Sequence, residues 1–244
     1  MRSPSAPCLD PLPGWELTYN ADGMATVHNA DFMHDPLFQS AYQAGERTGH
    51  KFGADLHIEW RTHVACWAAY QAKQLTGDYV ECGVNTGIYS TAVMRYIDFA
   101  SMPDRRFYLL DTYRGIPVEQ MSEQERELGM EAANSYYEEC YERVRGHFAC
   151  YPNAKVIRGM VPETLEQIDS DRICYVSIDM NCVKPEMAAG EYLWPRMVSG
   201  AIVVLDDYGW KTHIQQKHAW DAFADARGLK VLALPTGQGL LIKP

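Results

Sequence analysis

Three aspartates close two apolar runs, ICYVSID (173–179) and AIVVLDD (201–207). Short apolar, β-branched runs of this kind read as strands buried on both faces. If the two strands are central and adjacent, Asp179, Asp206 and Asp207 converge at one mouth of the sheet. Uncompensated, three carboxylates repel one another and raise each other's pKa. A hard divalent cation resolves that conflict, because carboxylate oxygens, with water in the remaining positions, suit Mg²⁺ or a similar ion. The plainer alternative has one aspartate capping the next helix and another pairing with a Lys or Arg. That alternative is preferred for a lone aspartate; for three at adjacent strand ends the metal is preferred.

A second constellation is Glu81-Cys82-Gly83-Val84-Asn85-Thr86-Gly87, at the end of the run GDYVECG (77–83). Its two glycines let the backbone turn tightly and approach a ligand before a helix begins near Ile88. Taken alone they also fit a simple strand-to-helix turn. A further run, RFYLLD, ends at Asp111, where a carboxylate can accept both hydroxyls of a ribose. A nicotinamide dinucleotide needs G-x-G-x-x-G, and position 85 is Asn. Glu81 beside the turn suits an amino-bearing ligand better than a pyrophosphate. S-adenosylmethionine, with its ammonium, sulfonium and ribose diol, fits the set. Cofactor contacts are expected from Glu81, Gly83, Asn85, Thr86, Gly87 and Ser90, from Asp111 and Thr112, and from Arg61, whose guanidinium could hold a carboxylate bidentately. A surface ion pair is the alternative for Arg61.

The elements that must position these groups alternate. The strands named above, with AKVIRG (154–159), are separated by helically spaced stretches: IYSTAVMRYIDFA, residues 137–148, PETLEQI, PEMAAGEYLWPRM and HIQQKHAWDAFADA. Alternation of this kind predicts an α/β fold, a parallel sheet covered by helices on both sides. The chain ends differently, because KVLALP and GLLIKP flank a short TGQG turn and predict an antiparallel hairpin at the sheet edge. HIEWRTHVACWAAYQAKQL reads as the helix leading into the sheet. Residues 1–58 are assigned to an N-terminal arm and 59–244 to the main domain. The stretch at about 114–140, acidic and rich in Glu and Met, is longer than a typical connection and reads as a lid with few strongly apolar anchors. Trp60, Trp67 and Trp194 are expected in the core or in subunit contacts.

Composition narrows the partners. The chain has 244 residues with 22 Lys+Arg against 32 Asp+Glu, a formal charge of -10, and no basic cluster that would follow a phosphate backbone. No apolar run approaches the ~18 residues of a membrane span, and the opening residues lack a secretory signal's apolar stretch. A soluble, cytoplasmic protein is expected, with neither nucleic acid nor membrane as partner. The seven cysteines form no C-x-x-C pair and the histidines no H-E-x-x-H, so a zinc site is disfavoured.

The runs GDYVECGVNTG, FYLLDTYRGIP, VIRGMVPETL, SIDMNCVKPEMAAGEYLWPRMVSGAIVVLDDYGW and LPTGQGLLIK resemble the macrocin O-methyltransferase family, which includes the mycinamicin and novobiocin sugar O-methyltransferases. The resemblance covers roughly residue 59 to the C-terminus, and the spaced pair S-I-D and L-D-D-Y-G is its most specific part. It implies a class I methyltransferase fold, Rossmann-like and doubly wound, with S-adenosylmethionine, a divalent metal and a small-molecule sugar or glycoside acceptor, in a homo-oligomer. It places Glu81, Gly83 and Gly87 at the methionine end, Asp111 on the ribose, and Asp179, Asp206 and Asp207 on the metal. Where antibiotic-pathway members usually have Gly-Asp after the first metal aspartate, this chain has Met180-Asn181.

A sugar hydroxyl is a poor nucleophile at neutral pH, and a carboxylate of ordinary pKa ~3.9 does not by itself strip its proton efficiently. A metal acting as a Lewis acid would lower the hydroxyl pKa. Asp179 could then accept the proton, with His213, just after L-D-D-Y-G, as the competing base. A catechol-like phenol also offers a vicinal diol, and a catalytically silent cofactor-binding module is a further alternative, against which three unpaired carboxylates argue.

Overall fold

The protein is described by a computed structural model covering residues 15–49 and 55–244; Cys8 and the opening residues read above for a signal lie outside the described residues. Five parallel strands, β3 (Asp78–Cys82), β4 (Phe107–Asp111), β5 (Ala154–Arg158), β6 (Ile173–Ile178) and β7 (Met197–Leu205), stand in the order β5-β4-β3-β6-β7. The sheet is completed by β9 (Gly239–Ile242), antiparallel to β7, and β8 (Leu232–Ala233), antiparallel to β9. This is the α/β sheet with a terminal hairpin that the alternation predicts.

The chain runs outward from β3 through β4 to β5, then returns to place β6 on the other side of β3. The switch point therefore lies between β3 and β6, where open α/β sheets bind ligands at the strands' carboxyl ends. Register fixes what meets there. Cys82 pairs with Ile178 and Ile178 with Leu205, so the residues one step beyond, Gly83, Asp179 and Asp206, lie level.

Alternation along each strand divides the core into two layers. Val80, Cys82, Leu110, Ile178 and Leu205 face α7 (Val183–Leu193) and α8 (Ile214–Asp225). Tyr79, Phe107, Leu109, Tyr175 and Val204 face α2 (Glu59–Ala72), α3 (Ile88–Tyr96) and α6 (Tyr141–Phe148). The same alternation turns Glu81, next to Val80 and Cys82, toward the α2 and α3 layer. Trp194 is buried in the first layer, Trp60 packs edge-on against Phe32 and Trp67 is exposed. Of the six described cysteines, all free, five are buried. PETLEQI makes only a 3-10 turn over Leu165–Gln167, because its buried Leu165 and Ile168 are three apart, the period of that tighter helix.

The arm carries regular elements of its own. A hairpin of β1 (Tyr19–Ala21) and β2 (Met24–Thr26) turns at Asp22-Gly23, and α1 (Pro36–Glu46) follows. Asp35 caps α1 by accepting from the Phe38 amide at 2.9 Å, with Pro36 at the first helical position. Gly45 allows α1 to lie on α3, since a Cβ there would stand 2.6 Å from the Ile88 carbonyl oxygen.

The lid is better anchored than expected. Ser122 opens α4 (Glu123–Glu127) with a reciprocal cap, Glu125 N–H to Ser122 Oγ at 3.2 Å and Ser122 N–H to Glu125 Oε2 at 2.7 Å. The other oxygen of the buried Glu125 accepts from the Val183 amide at 2.7 Å, which caps α7 from outside. Ile116, Met121 and Met130 form an apolar cluster with Cys182. One carboxylate thus ties the lid to the helix that follows Asp179. Glu125→Ala should cost about 1–3 kcal/mol by orphaning buried amides, and hydrogen exchange should show the Ser122 and Val183 amides, which the Glu125 carboxylate accepts from, slowed in the free protein and both accelerated in the variant. Rapid exchange of both amides in the unaltered protein would contradict this docking.

Candidate active site

The turn after β3 is shaped by three left-handed residues, Gly83 (φ +92°), Asn85 (φ +48°) and Gly87 (φ +93°). Gly83 is required by contact as well as conformation, since a Cβ there would lie 1.8 Å from the Asp179 carbonyl oxygen. Asp111, at the end of β4, closes the turn. Its Oδ2 accepts from the Val84 and Asn85 amides at 2.6 and 2.7 Å, and its Oδ1 from the Tyr113 amide at 2.5 Å. Burial pushes its pKa up and those amides pull it down. The carboxylate expected to read a ribose is therefore also the clasp of the glycine turn.

A cavity of about 110 Å³ opens beside it, lined among others by Gly83, Asn85, Asp111, Thr112, Tyr137, Asp179 and Asn181. Thr86 and Gly87 do not reach its wall. The Thr86 hydroxyl pairs with Thr48 of the arm at 3.2 Å, and Gly87 makes room for the Phe148 ring, which a Cβ would meet at 2.8 Å. Behind the turn, on the α2 and α3 side, Glu81 Oε2, Ser90 Oγ and the Tyr89 hydroxyl are among the buried polar atoms without a hydrogen-bond partner. Burial raises the Glu81 carboxyl to about 8, opposed by the nearby Ser90 hydroxyl and reinforced by the charges of Asp111 and Asp206. An acid and two hydroxyls left unpaired beside a glycine turn can receive an ammonium and a carboxylate, the two charged groups of an amino acid moiety.

The three aspartates do meet. Among the described residues, Asp179, Asp206 and Asp207 each offer an oxygen within 4.8 Å of the others. Their surroundings differ. Asp206 is compensated: Arg61 Nη1 donates to its Oδ2 at 2.6 Å and Gln238 Nε2 to its Oδ1 at 2.9 Å. Asp207 Oδ2 is buried with no hydrogen-bond partner, and Asp179 Oδ1 accepts only from Asn181 Nδ2, at 3.2 Å. Burial first, then the Asp206 charge, pushes both Asp179 and Asp207 well above the usual carboxylate range. These three oxygen donors, two of them short of positive charge, fit a hard divalent cation.

Arg61 departs from both roles foreseen for it. It is buried, and its Nε and Nη2 grip Asp22 of the β1–β2 turn at 2.7 and 2.8 Å while Nη1 holds Asp206. Asp22 carries no motif, and Gln238 lies in the TGQG turn, which the sequence presents as turn chemistry first and a functional loop second. Trp210, just after L-D-D-Y-G, lies 5.7 Å from the Arg61 guanidinium and would touch any Cβ at Gly23 at 3.1 Å. The arm is thus locked to the carboxylate cluster.

His213 stands at the start of α8 with Nε2 at 3.2 Å from Asn181 Oδ1 and 3.6 Å from Asp207 Oδ2, and Nδ1 at 2.9 Å from Thr212 Oγ1. Burial lowers its pKa to about 4. A second acid and histidine group, the exposed Asp55 and His57 with the half-buried Glu59, lies at the start of α2, remote in sequence from the strand ends.

Sheet order, terminal hairpin and the glycine turn at the switch point define the class I methyltransferase fold. Solved structures agree: the O-methyltransferase NovP (TM-score 0.69, 18% identity, covering 87% of this chain and 97% of that one) and the calicheamicin methyltransferase CalS11 (TM-score 0.59, 17% identity, covering 88% and 94%). An O-methyltransferase from Bacillus cereus, solved in complex with SAH, superposes with TM-score 0.52 at 13% identity, over 87% of this chain and 96% of that one. Over residues 61–233 the sequence matches the macrocin O-methyltransferase (TylF) family, and the chain belongs to that family. A curated relative from Streptomyces olivaceus, 8-demethyl-8-(2,3-dimethoxy-alpha-L-rhamnosyl)-tetracenomycin-C 4'-O-methyltransferase, is 28% identical over 153 residues, 59% of this chain. The match spans 57% of that relative's length.

Proposed function

We propose that the protein transfers the methyl group of S-adenosylmethionine to a hydroxyl of a sugar or glycosylated natural product, with a divalent cation, Mg²⁺ or a similar ion, held by Asp179, Asp206 and Asp207. The observation that carries the reading is the pair of half-buried carboxylates, Asp179 and Asp207, that no cation compensates, with Asp179 lining the same cavity as Gly83 and Asn85 of the glycine turn. Family membership and the relative that methylates a rhamnosyl group support a sugar acceptor.

Glu81, Tyr89 and Ser90 take the methionine end, with the Glu81 carboxylate for the ammonium and the two hydroxyls for the carboxylate. Asp111 and Thr112 face the ribose, and Gly83 and Asn85 supply the backbone wall. When bound, the cation acts as a Lewis acid that lowers the pKa of the acceptor hydroxyl. Asp206 is held by Arg61 and Gln238 and sets the orientation of the cluster; Asp179, next to the cavity, takes the hydroxyl proton. Most of the remaining acceleration comes from holding acceptor oxygen, methyl carbon and sulfur in line.

The test is methyl transfer from labelled S-adenosylmethionine to a panel of rhamnosides, other glycosides and catechols. Glycoside products are expected; transfer to catechols alone would replace the acceptor class. Asp111→Ala should weaken cofactor binding by more than the ~1.5–3 kcal/mol of hydrogen bonds to a charged group, because the same change frees the Val84 and Asn85 amides. Titration calorimetry with unchanged affinity would remove Asp111 from the site.

A further inference from the structure

S-adenosylmethionine is a linear succession of methionine, ribose and adenine, and the strand order lays out the same succession. The glycine turn after β3 takes the first, Asp111 at the end of β4 the second, and the next strand outward is β5. The cavity follows this order, since its wall passes from Gly83 to Asp111 and on to Gly159 and Val161, which follow β5. The Gly159 amide donates to the Asp111 carbonyl at 2.9 Å, so the loop after β5 starts level with the ribose carboxylate. Around it the wall is apolar, from Leu110, Ile116, Pro117 and Val161, and suits the flat faces of a base. Gln120 of the lid is the buried polar side chain in that wall. Its Nε2 donates to the Val161 carbonyl. A carbonyl oxygen only accepts, so this bond fixes the amide with its nitrogen toward Val161 and leaves Oε1 as an acceptor to which no described residue donates. Neither end of the amide titrates. The backbone behind it is also held: Gln120 closes the 3-10 turn Val118–Gln120, its amide donates to the Pro117 carbonyl at 3.0 Å, and its neighbour Met121 belongs to the apolar cluster that docks the lid.

We infer that Gln120 determines which base the cofactor carries: its Oε1 accepts from the 6-amino group of adenine, so the lid itself reads the cofactor. An adenine joined to ribose through N9 has hydrogen-bond donors at its 6-amino group alone, and an atom that can only accept selects for that group. A 6-oxo base presents a second acceptor at the same place. Turning the amide over does not help it, because Oε1 would then face the Val161 carbonyl, again acceptor against acceptor. The inference rests on the cofactor reading above, with Asp111 at the ribose, and is independent of the cation.

Titration calorimetry on the full chain tests this with two ligands, S-adenosylhomocysteine and S-inosylhomocysteine, in which a carbonyl oxygen replaces the 6-amino group and N1 carries a hydrogen. The unaltered protein should bind the inosyl compound roughly 10–100-fold more weakly, the order expected when a buried acceptor is left unpaired. Equal affinity for the two would overturn the inference without any variant. Gln120→Met keeps the length of the side chain and removes both its donor and its acceptor. With its fold checked by a melting curve, it should bind the adenosyl compound more weakly and bring the two affinities within a few-fold of each other. A residue that only braces the lid would lower both affinities alike, so a Gln120→Met variant that keeps the parent's ratio would also overturn the assignment. Failure of the unaltered protein to bind S-adenosylhomocysteine at all is a different result: it would overturn the cofactor reading, and the assignment with it.

Discussion

Exhaustive chelation of divalent cations is expected to abolish methyl transfer while leaving S-adenosylmethionine binding largely intact, with Mg²⁺ or Mn²⁺ restoring the rate. Four carboxylates, Asp22, Asp179, Asp206 and Asp207, lie around one guanidinium, that of Arg61, whose three hydrogen bonds go to Asp22 and Asp206. Asp179 and Asp207 must therefore hold protons or meet a cation. Asp179→Asn keeps the volume and removes one ligand and the proton acceptor together, so activity should fall by at least ~10²-fold, the lower end for a lost acid or base. Stability of the metal-free protein should move the other way. The folded-state pKa of Asp179 is raised, chiefly by burial and by Asp206. Its contribution is therefore fully present below its unfolded pKa of ~3.9 and is lost as pH rises through the folded value. Metal-free Asp179→Asn should accordingly melt above the unaltered protein at alkaline pH, with the gap closing as the pH falls toward 4. Saturating Mg²⁺ should stabilise only the unaltered chain, by roughly 2.7 kcal/mol at a hundred times the dissociation constant. Activity that survives chelation, together with an Asp179→Asn variant that melts like the parent at every pH, would remove the cation from this site.

The parts of this arrangement that were legible in the sequence are those carried by strand ends. A buried parallel strand is a short apolar run, so a polar residue that ends it stands out, and Glu81, Asp111, Asp179, Asp206 and Asp207 all stand out in this way. The groups that complete the site carry no such contrast. Asp22 lies in a hairpin turn, where an aspartate is ordinary; Gln238 lies in the TGQG turn, which reads as turn chemistry; and their function exists only because Arg61 and Asp206 are brought to them from far along the chain. The order in the arm was legible too. Asp35-Pro36 is a helix-start signal, and the residues that α1 buries, Phe38, Ala41, Tyr42 and Gly45, stand at the i, i+3, i+4, i+7 spacing of an amphipathic helix, although two of the four, Ala41 and Gly45, carry little apolar contrast. The lid reads as a solvated acidic face because Glu125 counts as a charge in the sequence, whereas in the fold it is a buried cap for two helices.

Gly83→Ala is expected to damage both halves of the site at once. β3 and β6 are hydrogen-bonded neighbours up to their last residues, with the Asp179 amide donating to the Cys82 carbonyl and the Gly83 amide to the Leu110 carbonyl, each at 2.8 Å. Gly83 is thus held on both sides at the switch point, and its missing side chain leaves the space through which the Asp179 backbone passes. A methyl group there would sit 1.8 Å from the Asp179 carbonyl oxygen, well inside any contact distance, and backbone cannot swing aside as a flexible side chain could. The residue is also left-handed at φ +92°, which adds strain for alanine. Overpacking and an unfavourable backbone region cost about 1–3 kcal/mol each, so the melting temperature should drop by several degrees or more. The more specific consequence lies in the remainder that folds. Relief of the clash must part the glycine turn from Asp179, so cofactor affinity and metal affinity should fall together, although no ligand contact has been removed. Ala at Gly49, where a Cβ would meet nothing within 4 Å and only backbone strain remains, is the control for left-handed strain without a clash. If Gly83→Ala binds cofactor and metal as the parent does and melts no lower than Gly49→Ala, the turn does not depend on the close pass of β3 and β6.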